Sequence, residues 1–73
     1  MNKELERVNN ELFEYYFGAL VKYARAKKHD EMMFYMGGAE HILGIYSAVN
    51  NISNEEAKTI LSAMVAERVE ANK

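Results

Sequence analysis

Apolar residues recur every three or four positions along three stretches of the chain, which is the spacing of α-helices with one buried side. The pattern predicts helices at about residues 3–28, 31–49 and 54–71, within a single domain that covers residues 1–73. We therefore expect an all-α fold, either a small three-helix bundle or a helical hairpin with a third helix, and we expect it to be dimeric.

The first predicted helix carries two neighbouring rows of apolar residues, which together cover roughly 200° of its circumference, about twice the usual buried stripe. One packing layer is too narrow to cover such an arc. Tyrosine and phenylalanine are common in protein interfaces because their rings bury a large area. We therefore predict that this helix forms a homodimer interface through its aromatic residues Phe13, Tyr15, Tyr16, Phe17 and Tyr23.

The second predicted helix is apolar nearly all round, with only Glu40 and Ser47 clearly suited to solvent, which is typical of a central helix. Gly37, Gly44 and Ala48 form a narrow strip of small residues on it, with His41 between them. A glycine inside a helix costs about 1 kcal/mol relative to alanine. We therefore expect backbone or bulky rings to approach this strip closely.

The ends of the predicted helices carry signals of different strength. Lysines suit a helix C-terminus, so Lys27 and Lys28 indicate the end of the first helix, and Asp30 is the predicted N-cap of the second. Asparagines at 50 and 51 tolerate the left-handed conformation that ends helices. Ser53 and Glu56 have the spacing of a capping box at the start of the third helix. That helix should bury Ala57, Ile60, Leu61, Met64 and Val65, with Val69 as a further candidate.

Composition excludes several protein classes. The chain has 73 residues, 49% of them hydrophobic and 27% charged, and it has no proline and no cysteine. So much apolar surface is atypical of disordered chains, and a cysteine-free chain has no disulfide framework. A core this small is marginal by itself, which favours self-association. The N-terminal residues show no apolar targeting segment, so we expect a cytoplasmic protein that does not enter a membrane.

Few residues could support chemistry. Helical metal sites use pairs such as His-x-x-x-His or Glu-x-x-His on one face, and neither spacing includes His29 or His41. We therefore expect no metal and no cofactor, and we interpret His41 as a structural histidine rather than a metal ligand between subunits. No nucleophile, phosphate-binding loop or pair of helix carboxylates is recognisable, so we expect no enzymatic activity.

Charges are unevenly distributed, although the net charge is only −2. A basic cluster at Arg25, Lys27 and Lys28 precedes a stretch, His29 to Ala57, that has no lysine or arginine. Complementarity with helix dipoles explains most of this pattern. The more specific hypothesis is an acidic surface, formed by Asp30, Glu31 and Glu40, that binds a basic partner.

The function that remains is a small non-enzymatic protein–protein interaction module, an adaptor or stoichiometric inhibitor of the kind that mobile elements carry. The alternative is a regulator that binds DNA through a helix-turn-helix formed by the second and third helices. Nucleic acid is the less favoured partner, because Glu55 and Glu56 at the start of the would-be recognition helix would repel phosphates.

Overall fold

The computed structural model describes residues 2–73 and contains three α-helices joined by two short connections. The helices are α1 (Lys3–Arg25), α2 (His29–Asn50) and α3 (Asn54–Ala71). Residues 2–73 include no β-strand. The predicted all-α, three-helix fold is therefore confirmed, and α1 and α2 form a hairpin against which α3 packs.

α1 begins where expected and ends three residues early. The Asn2 side chain caps its start by accepting hydrogen bonds from the amides of Glu4 and Leu5, at 3.0 and 3.3 Å. Ala26 leaves the helix in an extended conformation, with φ −66° and ψ 138°, and its amide donates to the Tyr23 carbonyl at 3.2 Å. The predicted end at Lys28 is therefore wrong by one turn, and the cation that ends the helix is Arg25.

α2 begins at His29, two residues before its predicted start. The N-cap position is occupied by Lys28, whose backbone is extended and whose side chain makes no capping bond. Asp30, the predicted N-cap, instead lies in the first turn, where its charge still stabilises the helix dipole. Two residues with extended backbones, Ala26 and Lys28, reverse the chain here. Because any residue type can adopt this conformation, the turn needs no glycine or proline.

The second connection follows its sequence signals closely. Asn51 takes the left-handed conformation, with φ 53° and ψ 48°, and the next amide, that of Ile52, donates to the Ser47 carbonyl at 3.1 Å. The Glu56 amide donates to Ser53 Oγ at 3.1 Å, and the Glu56 side chain accepts from the Ser53 amide. The capping box and the left-handed asparagine are both confirmed.

The hydrophobic core occupies only one half of the molecule. Its members come from all three helices and are Leu12, Phe13, Tyr16, Ala39, Tyr46, Ala57 and Leu61. No residue from Phe17 to Gly38 is buried, because α3 does not cover that half of the hairpin. The radius of gyration of 12.7 Å accordingly exceeds the roughly 11 Å expected for a compact chain of this length.

Two helices cover the wide apolar arc of α1. Besides packing on α2, α1 contacts the Arg68 guanidinium of α3, which lies 5.1 Å from the ring centre of Phe13 and 5.2 Å from that of Phe17. Arg68 also donates to both carboxylate oxygens of Glu14, at 3.2 and 2.5 Å. The arc is therefore accounted for within one chain and does not require a second copy on α1.

A pair of asparagines joins the start of α1 to the end of α2. The Asn9 side chain donates to Asn50 Oδ1 at 2.9 Å, and the Asn50 side chain donates back to Asn9 Oδ1 at 2.8 Å. Asn50 also donates to the Tyr46 carbonyl at 2.9 Å. These half-buried bonds fix the register of the hairpin at the end that contains the core.

Candidate protein-binding surface

One side of α2 faces solvent along most of its length, and we call it the outer face. It is formed by seven exposed residues: Phe34, Gly37, Gly38, His41, Ile45, Ala48 and Val49. At 100° per residue, these positions lie within roughly 120° of the helix circumference and extend along about 22 Å of its axis. The outer face lies opposite the side of α2 that carries the buried residues Ala39 and Tyr46.

The outer face is apolar and contains no lysine, arginine, aspartate or glutamate. Phe34 is 75% exposed, and Met33 beside it is 59% exposed. The Phe34 ring contacts the Tyr35 ring edge to face, with centres 5.4 Å apart. An apolar surface that spans four helical turns is typical of a protein-contact site. The expectation that only Glu40 and Ser47 face solvent is therefore wrong, since Ser47 itself is half-buried.

The glycines of α2 have no packing role within the chain. A Cβ atom added at Gly37, Gly38 or Gly44 would meet no heavy atom within 4 Å beyond its own stretch of helix. The close approach predicted for this strip is therefore not made by any other part of residues 2–73. Each glycine still lowers helix stability by about 1 kcal/mol relative to alanine.

The five aromatic residues predicted for a dimer interface do not share one surface. Phe13 and Tyr16 are 5% and 6% exposed and belong to the core, so they are not free to contact a second copy. Phe17 and Tyr23 are half-buried. Tyr15 is 65% exposed, on the side of α1 that faces solvent. Four of the five rings therefore lie at least partly within the chain, and a dimer interface on α1 stays a prediction.

The three acidic residues predicted to bind a basic partner are exposed but separated. Asp30 and Glu31 lie in the first turn of α2, whereas Glu40 lies more than two turns further on. Nine residues at 100° each place Glu31 and Glu40 on opposite sides of the helix. Glu40 instead lines a shallow cleft beside the start of α3, with Glu55 and Lys58. These acids do not form one continuous surface.

Groups suited to chemistry are scattered over the part of the chain that the structure describes. Among residues 2–73, no three histidine, aspartate or glutamate side chains come together as a metal site would require. His41 is exposed on the outer face, and its interpretation as a structural histidine stays a prediction. Within the same residues, no helix is both long and apolar enough to cross a membrane.

The perturbed ionisable groups belong to surface ion pairs. Hydrogen bonds from Arg68 hold the pKa of Glu14 below its usual value, and the same bonds raise the pKa of Arg68. A hydrogen bond to Glu4, followed by the charge of Glu11, raises the pKa of Arg7. These pairs lie on exposed helix surfaces rather than in an enclosed pocket, and they connect helices or successive turns.

Comparison with protein families, with curated proteins and with solved structures finds no match to this chain. The function is therefore argued from the surface itself. Sequence reasoning missed the outer face as a solvent-exposed surface, although a signal for it was present. Phe34, Gly38, His41, Ile45 and Ala48 follow alternating steps of four and three, which is the spacing of a helix-pairing seam.

Proposed function

We propose that this chain is a non-enzymatic protein-binding module, an adaptor or stoichiometric inhibitor, that acts through the outer face of α2. The observation that carries the proposal is the exposure of Phe34 and Met33 at one end of an uncharged helix face. The cysteine-free sequence is compatible with action in the cytoplasm.

The energetics favour a protein as the ligand of this face. Burying a phenylalanine side chain fully is worth about 1.5–3 kcal/mol, and Phe34 has most of that still to gain. Aromatic residues and methionine are enriched at the centre of protein interfaces, where charged residues are depleted. The glycines allow a partner's backbone or a bulky side chain to approach α2 closely. The separated acids Asp30, Glu31 and Glu40 are not needed for this contact.

Affinity capture tests the proposal. The tagged chain is expressed in the cells that produce it, together with an untagged copy, and the proteins bound in stoichiometric amounts are identified and then recombined in purified form. We expect Phe34→Ser to lose the bound protein, whether that protein is a different one or the untagged copy.

Tyr15→Ser is the matched control, because it removes a similarly exposed aromatic ring from α1. It should retain the bound protein. Equal loss with both variants, or no stoichiometric protein bound to the unaltered chain, would contradict the proposal.

A further inference from the structure

We infer that the occupant of the outer face is a second copy of this chain, paired antiparallel across a two-fold axis near His41. The inference rests on the proposed function and names the partner at the same surface. It differs from the interface predicted on α1, whose aromatic residues are largely used within the chain.

The side chains of the outer face are complementary in size to those of the same face on a second copy that runs in the opposite direction. Consider an antiparallel pair of α2 helices centred on residue 41. Because both helices rise equally per residue, two residues lie level when their numbers add up to 82. Phe34 then lies level with Ala48, and Ile45 with Gly37. Each large side chain thereby meets a small one, which is how helix surfaces interlock. A parallel pair would instead place Phe34 against Phe34 and leave the glycines facing each other.

The surface area of the chain agrees with one missing partner. Its accessible surface is 5532 Å², whereas a compact monomer of 8.4 kDa exposes roughly 4600 Å² by the usual scaling with mass. The difference is close to the roughly 800 Å² that each partner buries in a standard interface.

Light scattering coupled to size exclusion, over a hundredfold range of concentration, tests for the dimer. We expect a mass twice the 8.4 kDa of the chain at high concentration, with dissociation on dilution. Phe34→Ser should raise the dimer dissociation constant by at least about tenfold, as loss of a large aromatic side chain from an interface does, and Tyr15→Ser should leave it unchanged. Circular dichroism confirms that each variant is folded.

Cysteine cross-linking locates the interface, because the natural chain has no cysteine. His41→Cys places the two thiols beside the proposed axis and should give a disulfide-linked dimer under mild oxidation. Tyr15→Cys, also at an exposed position but on α1, should cross-link far more slowly. A dimer that cross-links through Tyr15→Cys as fast as through His41→Cys would overturn the inference.

Mixed cross-linking tests the direction of pairing. A mixture of Gly37→Cys and Ile45→Cys chains should form the mixed disulfide-linked dimer, because these positions lie level in the antiparallel pair, whereas Gly37→Cys alone should cross-link slowly. The reverse result would overturn the antiparallel arrangement. A strictly monomeric chain that captures a different protein through Phe34 would overturn this inference and leave the proposed function standing. A monomer that captures nothing would overturn both.

Discussion

Replacing Gly38 with alanine separates the stability of the folded chain from its association. Gly38 lies in the interior of α2 and is exposed on the outer face. An added Cβ would meet no heavy atom within 4 Å. Within one chain, the substitution therefore changes helix propensity and nothing else.

The magnitude follows from that geometry. Alanine is more favourable than glycine in a helix interior by about 0.8–1.0 kcal/mol. For a domain of this size, 1 kcal/mol shifts the unfolding midpoint by about 4–8 °C. We therefore expect Gly38→Ala to raise the melting temperature by about 3–8 °C at concentrations where the chain is monomeric.

Gly18→Ala is the matched control, because its added Cβ also meets no heavy atom within 4 Å but lies in α1, away from the outer face. Thermal melts followed by circular dichroism should show a similar gain for both variants. Size exclusion should show a weaker dimer for Gly38→Ala alone, since its methyl group occupies space meant for the partner helix. A lower melting temperature for Gly38→Ala in the monomer would refute the reasoning, and so would an unchanged dimer.

Two further predictions concern contacts within the chain. Because folding lowers the pKa of Glu14 through its bonds with Arg68, this pair stabilises the fold above the unfolded pKa of about 4.3, and the stabilisation is lost as pH falls through the lower folded pKa. Urea unfolding should accordingly show a lower free energy of unfolding for Glu14→Gln than for the unaltered chain at pH 7, and this difference should shrink below about pH 4. An equal difference at both pH values would contradict the reasoning. Ser53→Ala removes one half of the capping box and should lower the free energy of unfolding by about 0.5–2 kcal/mol, measured by urea unfolding. An unchanged free energy of unfolding would show that the capping box does not stabilise the fold.

The helices and the second connection could be predicted because their signals are local. Apolar spacing identifies each helix, and the capping box of Ser53 and Glu56 depends on residues three positions apart. Asn51 is one of the few residue types that accept a left-handed backbone. The first connection was misplaced because its extended residues, Ala26 and Lys28, carry no such signal.

Burial was harder to predict than secondary structure, because it depends on which helix covers which side. Phe34 and Tyr46 are both aromatic residues on α2, yet one is 75% exposed and the other 7%. Periodicity ranks them alike, since α2 is apolar nearly all round. The difference arises because α3 and the start of α1 pack near Tyr46 and leave the other end of the hairpin uncovered. The outer face therefore became visible as a surface only from the fold.

The glycines of α2 connect the stability of this chain to its proposed association. A domain of 73 residues typically has a folding stability of about 4–11 kcal/mol. Gly37, Gly38 and Gly44 together remove about 2–3 kcal/mol relative to alanines, and no contact within the described chain offsets that loss. A function that required no close contact of another protein with α2 would leave this weakness without a physical cause. The proposed pairing of α2 with a second copy would account for the two exposed glycines, Gly37 and Gly38, and for the exposure of Phe34.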